Sequence, residues 1–188
     1  VQLFIQICQG VQHAHQRGLI HRDLKPLNIL VQQVDGEALP KIIDFGIALG
    51  GSSVGTPLRI DRVVGTPAYM SPEQRRPDGR GIDARSDVYA LGVVLAEALC
   101  RAGGQSRAKG VDATLVRAAV LHELGVEKAA VALVNPLIGL LKSCPRELLA
   151  ITARAMAPER EHRYDSAAAM AEDLSRWLDS RPVQAMRQ

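Results

Sequence analysis

His21-Arg22-Asp23-Leu24-Lys25-Pro26-Leu27-Asn28 is the stretch on which the reading of this chain turns. It sets a carboxylate, a cation and an amide in one short segment, between a helical run and a strand-like run. Sixteen positions after Asn28 comes Asp44-Phe45-Gly46. These groups match what phosphoryl transfer asks of a protein. Asp23 can orient an attacking hydroxyl and accept its proton. Lys25 can sit beside the moving phosphoryl group, and Asn28 and Asp44 offer oxygens to Mg²⁺.

Working outward, Leu3, Ile7, Val11 and Ala14 recur at helical spacing, which predicts an amphipathic helix over 2–17 with Gly18 as its stop. Ile29-Leu30-Val31 and Lys41-Ile42-Ile43, separated by a turn at Asp35-Gly36, predict a hairpin. Such a hairpin would bring Asn28 and Asp44 to one end of two paired strands. Residues 47–65 are rich in Gly, Ser, Pro and Thr and read as loop. Asp83 is a good N-cap for a helix that is apolar on almost every face through Leu99, which marks it as buried. Residues 101–110 read as loop and 111–142 as one or two helices. A helix with Pro145 in its first turn carries Leu148, Leu149, Thr152, Ala155 and Met156 as its stripe and stops at Pro158. The last helix, from about Ser166 to Leu178, presents Met170, Leu174, Trp177 and Leu178, and Ser180-Arg181-Pro182 reads as a domain exit.

The pattern H-R-D-L-x-x-x-N followed by D-F-G resembles the eukaryotic-like (Hanks-type) serine/threonine protein kinases. Gly65 to Gln74 and Asp173 to Val183 resemble the bacterial members. The resemblance covers nearly the whole chain, but only the family's larger C-terminal lobe. It implies an α+β, mostly α fold, with a small β-hairpin carrying the catalytic loop and the D-F-G motif. Residues 1–180 would be that lobe and 181–188 the start of a linker.

What the resemblance implies for single residues stands beside plainer readings. A lone Asp in a loop is more often a turn former; in this motif Asp23 takes the catalytic-base role. Lys25 matches the serine/threonine branch and contacts both phosphoryl group and cofactor. Leu30 is expected against the nucleotide. Asn28 and Asp44 are either turn residues or the ligands of Mg²⁺, with Mn²⁺ as a substitute. Arg22 is either a surface Arg or the partner of a phosphate on the activation segment, where Ser52, Ser53 and Thr56 are the candidate hydroxyls and Asp61 a partial electrostatic substitute. Thr66 is either a loop Thr before Pro67 or a contact of Asp23 and Lys25. Phe45 is a core aromatic and a packing switch, Gly46 the turn after it, and His21 a structural packing residue. Glu73, in Ser71-Pro72-Glu73, is expected to pair with Arg163 as a clamp. Asp87 is a buried charge that needs partners, expected to be catalytic-loop N–H groups.

Composition bounds the rest. The chain has 188 residues, 47% hydrophobic and 23% charged, which suits one globular domain. A net charge of +3 with interspersed signs is too mild to point to nucleic acid or a membrane surface. Cys8, Cys100 and Cys144 are scattered, without C-x-x-C spacing, and read as reduced thiols in the cytoplasm. The start lacks Met and a basic leader, so no signal peptide is expected, and no apolar run is long enough to span a bilayer. Gly50 to Thr56 has P-loop glycine spacing but no Lys after Gly55, and His13 and His15 do not face together on a helix. No G-x-G-x-x-G occurs, and Lys41 belongs to the strand before Asp44. The expectation is a protein kinase acting on Ser and Thr of proteins with ATP and Mg²⁺, here without its N-terminal lobe and nearly inactive alone. The rivals are a non-catalytic pseudokinase or scaffold, and a plain helical interaction domain.

Overall fold

The computed structural model describes residues 1–45, 67–76, 78, 80–102, 141 and 144–187. The expected loop over 47–65 and nearly all of the expected helices over 111–142 lie outside the described residues, as do Gly46, Ser52, Ser53, Thr56, Asp61 and Thr66.

Four helices and one hairpin carry the described fold. Helix α1 is Gln2–His15, and its buried side chains Phe4, Ile7, Cys8, Val11 and Ala14 follow the helical period. It ends two residues earlier than the sequence suggests. Gly18, at φ +73°, donates its N–H to His15 O, and Leu19 donates to Ala14 O. That pair of bonds is a Schellman closure, which needs the left-handed backbone glycine adopts without penalty.

Strand β1 (Ile29–Val34) pairs antiparallel with β2 (Glu37–Ile42), from Ile29 opposite Ile42 to Val34 opposite Glu37. Asp35 and Gly36 both take positive φ, as a two-residue hairpin turn requires. The strands run further toward the turn than the apolar triplets alone indicate. Leu30, Val31, Val34 and Leu39 are exposed, so the hairpin stands out from the core rather than within it.

Helix α2 (Ala84–Ala102) is the central element, with every residue from Ser86 to Glu97 buried. Arg101 and Ala102, read from sequence as loop, belong to it. Helix α3 (Arg146–Ala155) begins one residue after Pro145, which sits at the cap in extended backbone rather than in the first turn. The α2–α3 contact is close at Gly92, where a Cβ would lie 2.8 Å from Ala155 Cβ and Met156 Cγ. Helix α4 (Ala167–Leu178) is capped by Ser166, whose Oγ accepts the Ala169 N–H at 3.1 Å. Leu178, expected on its buried stripe, is exposed. It follows Trp177, and one residue turns about 100° round a helix, so Trp177 covers the core edge and Leu178 faces away.

Helix α4 packs on α1, and α3 on α2 and α4, so one core unites Val11, Leu91, Ile151, Met170 and Leu174. The segment after α4, read as the start of a linker, folds back onto it. Val183 is buried, and Asp173 accepts the backbone N–H of Gln184 at 2.6 Å and of Ala185 at 3.0 Å. Tyr164 Oη also donates to this buried carboxylate. Among the described residues, no helix is long and apolar enough to cross a membrane.

Candidate active site

The candidate site forms where the loop between α1 and β1 lies over the first turns of α2. Asp87, 1% exposed, faces that loop from below. His21 and Arg22 donate their backbone N–H groups to its Oδ2 and Oδ1, each at 2.8 Å. His15, at the end of α1, brings Nε2 to 2.7 Å from Oδ2. A buried carboxylate is tolerable only when its oxygens are used, and here three donors use them. The same bonds hold Arg22 at φ +66°, a backbone conformation that costs a non-glycine residue of the order of 1–3 kcal/mol.

His21 is fully buried and locks the two halves of the site together. Its Nε2 lies 2.9 Å from Ile43 O, and its Nδ1 lies 3.3 Å from Asp23 N. A carbonyl only accepts and a backbone N–H only donates, so the imidazole is the neutral form protonated at Nε2. Its ring packs against Phe45 with centroids 4.7 Å apart. The chain just before Asp44 is thereby tied to the chain just before Asp23.

Around Asp23 the polar groups converge. Lys25 donates from Nζ to Asp23 Oδ2 at 2.6 Å. Asn28 donates from Nδ2 to Asp23 O at 2.9 Å, with Asp23 Oδ2 at 3.5 Å. That assignment turns the Asn28 amide nitrogen to Asp23 and leaves its oxygen as the atom that could serve a cation. Ile43 donates its N–H to Asn28 O at 3.0 Å, so the hairpin does bring the Asn28 and Asp44 positions to one end. Asp44 is exposed and held at φ +55°. One amide oxygen and one exposed carboxylate are few, hard donors. They suit a cation that keeps water and phosphate in its shell, as Mg²⁺ does, rather than a closed protein cage. Among the described residues no three His, Cys, Asp or Glu side chains gather as such a cage.

A second cluster braces the site from the side. Glu73, 5% exposed, accepts Arg163 Nη1 at 2.7 Å and Nη2 at 2.9 Å, and Ser86 Oγ at 2.7 Å. Arg163 also donates to the carbonyls of Ala157, Arg85 and Pro158. All five of its N–H groups are therefore used, and its guanidinium lies 5.0 Å from the Tyr89 ring centroid. Burial alone would push the Glu73 carboxyl up, but the hydrogen bonds from Arg163 and Ser86 outweigh it and hold the group at about 2.

Several participants were missed in the sequence. Gln74 donates from Nε2 to Arg22 O at 2.6 Å, while its Oε1 accepts Ser71 N–H and Oγ–H. Tyr69 Oη donates to Glu97 Oε2 at 2.8 Å, and Arg101 pairs with the other oxygen of Glu97. Glu97 could have been flagged by the logic used for Asp87, a lone charge on an otherwise apolar helix. His15 had no such signal, because a polar residue at a helix end looks solvated. Of the remaining expected residues, Leu30 is exposed on the hairpin, and Arg22 is half-buried, with no carboxylate among the described residues paired to its side chain.

Comparison with known proteins identifies the family. The protein kinase domain family matches residues 1–173. Serine/threonine-protein kinase PknB of Mycobacterium tuberculosis is 34% identical over 186 residues, which cover 98% of this chain and 27% of PknB. Serine/threonine-protein kinase Pkn1 of Myxococcus xanthus is 36% identical over 175 residues, covering 93% of this chain and 23% of Pkn1. The chain thus spans about a quarter of the length of these relatives. The crystal structure of the Mycobacterium tuberculosis PknI kinase domain, a double mutant, superposes with a TM-score of 0.57 at 22% identity, over 93% of this chain and 52% of that one. By motif, fold and sequence, this chain belongs to the protein kinase domain family and is of the bacterial Hanks type.

Proposed function

We propose that the chain is the C-terminal lobe of a serine/threonine protein kinase, which moves the γ-phosphoryl group of ATP to Ser and Thr hydroxyls of proteins. The observation that carries this is the convergence on Asp23. Lys25 Nζ and Asn28 Nδ2 both reach one carboxylate oxygen, at 2.6 and 3.5 Å. A carboxylate, a cation and an amide are therefore gathered at one point, which supports the roles given to them next. Asp23 orients the acceptor hydroxyl and takes its proton. Lys25 sits between that carboxylate and the phosphoryl group and offsets their charges. Asn28 and Asp44 are the residues that would hold Mg²⁺, whose chemistry there would be to neutralise phosphate charge.

In this reading Thr66 contacts Asp23 and Lys25, Leu30 lies against the nucleotide, and Arg22 receives a phosphate from Ser52, Ser53 or Thr56. Glu73 and Arg163 anchor the activation segment. The chain lies in the cytoplasm, where ATP is available and its scattered thiols stay reduced. The reaction also needs a glycine-rich phosphate cover and a strand lysine. No G-x-G-x-x-G occurs in this sequence, and its strand lysine, Lys41, lies just before Asp44 rather than in a strand over the phosphates, so in this reading a further lobe supplies both and these residues alone turn over little. The test is ATP-dependent phosphorylation of a basic protein by the full polypeptide, beside its Asp23→Asn variant. Transfer lost in the variant supports the reading. A folded polypeptide with no transfer would move it to a scaffold.

A further inference from the structure

Arg22 and Asp23 are joined by a peptide unit that the Asp87 hydrogen bonds do not include. Asp87 takes the N–H groups of His21 and Arg22, which precede that unit. The unit itself is held at both of its polar atoms. Gln74 Nε2 donates to Arg22 O at 2.6 Å, and Asp23 donates its N–H to His21 Nδ1 at 3.3 Å. We propose that Gln74 is a positioning residue for the reaction, fixing the plane of the Arg22–Asp23 peptide and with it the seat of the Asp23 carboxylate; this rests on the kinase reading. A peptide unit is rigid but turns about the single bonds that flank it. Arg22, at φ +66°, gives this one a reason to turn, since rotation lets strained backbone relax. Turning changes φ at Asp23 and carries its side chain away from Lys25 and Asn28.

A plainer role for Gln74 is local. Ser71-Pro72-Glu73-Gln74 has the spacing of a capping box before the one-turn helix Glu73–Arg75. Gln74 Oε1 accepts the Ser71 N–H at 3.1 Å and its Oγ–H at 3.0 Å. That role uses the oxygen alone, and a glutamate fills it equally well. It leaves the nitrogen unexplained, and the nitrogen makes the shorter bond, to a carbonyl 52 positions away. Arg22 O only accepts and Ser71 N–H only donates, so the amide has one orientation. Its base is firm on both sides, because Ser71 is fully buried and Glu73 is clamped by Arg163. Gln74 therefore reaches from a fixed segment to the carbonyl that decides how Asp23 is presented.

The experiment compares the full polypeptide with its Gln74→Glu, Gln74→Met and Gln74→Lys variants. Gln74→Glu keeps the size and the acceptor for Ser71 but offers Arg22 O no donor at neutral pH. Its kcat is expected to fall between about tenfold and a hundredfold, with KM for ATP within about twofold. Hydrogen exchange by mass spectrometry should quicken about tenfold on a peptide spanning 21–26, while one from the middle of α2 is unchanged. Protonation gives the introduced carboxyl an O–H donor, so the deficit in kcat should shrink between about pH 8 and about pH 5. A capping box alone predicts parental kcat and exchange in Gln74→Glu. That result would overturn the proposal, as would a deficit that does not change with pH. Should Gln74→Glu unfold, the other two variants decide. Lys can donate to Arg22 O but cannot accept from Ser71, and Met can do neither. Higher kcat for Lys than for Met supports the role, and equal kcat overturns it. An inactive parent would sink the kinase reading, while the exchange data would still decide whether Gln74 holds the peptide.

Discussion

Neutralising Glu73 should be among the most damaging single changes in this fold. In Glu73→Gln the side chain keeps its size, but the Arg163 guanidinium, whose side chain is fully buried, loses its counter-charge. One oxygen can still accept, and the new amide N–H₂ meets donors. Breaking a buried pair on one side costs about 3–5 kcal/mol. The lowered value of the Glu73 carboxyl points to a similar figure. A carboxyl held at about 2 against an ordinary value of 4.5 is worth about 3 kcal/mol. Because the folded value is the lower one, that stability is fully present above about pH 4.5 and is lost as pH falls toward about 2. Urea unfolding, followed through the single Trp177, measures both effects. The gap between parent and variant should be about 3 kcal/mol near pH 6 and should narrow steadily toward pH 3. Glu73→Gln with Arg163→Met should recover much of the loss, since no buried charge is then left alone. A Glu73→Gln cost below about 1 kcal/mol, or a gap that does not narrow with acid, would refute the reasoning.

Three further outcomes follow from the packing. Ser166→Ala removes the cap of α4 and should cost about 1 kcal/mol in the same urea assay. Gly92→Ala places a Cβ 2.8 Å from Ala155 and Met156, so it should destabilise by about 1–3 kcal/mol despite Ala's better helix propensity. Thiol labelling under native conditions should modify Cys144 first. Cys100 is buried, its thiol pushed up to about 11 by burial, and Cys8 is fully buried with its thiol pushed higher still, so both should label only on unfolding.

The motif residues and the helices were legible because each leaves a local trace. The period of Ile7, Val11 and Ala14, the Asp35-Gly36 turn and the start of the last helix at Ser166 are short-range signals, and the structure keeps them, while Leu3 is only partly buried and Phe4 takes its place in the core. What could not be read were contacts set by packing. Nothing near His15 in sequence tells that α2 lies beside it, 72 positions on. Leu178 fits the apolar stripe by composition, but exposure is decided by where the core ends. Pro182 looks like an exit, yet Val183 finds a pocket beside α4, and Asp173 gathers the N–H groups that follow. The pairing of Glu73 with Arg163 was foreseen from the family resemblance alone, because 90 positions separate the two.

Arg22 sits at φ +66° because a carboxylate 65 residues away draws in its N–H. The octapeptide His21–Asn28 is therefore not portable. Its side chains can be copied into another protein, but its shape resides in α2, in the end of α1 and in the Ile43 carbonyl that His21 meets. A peptide of this sequence in water would relax Arg22 to an ordinary backbone and scatter Asp23, Lys25 and Asn28. For an engineer, the smallest transplantable unit of this site is the helical core itself.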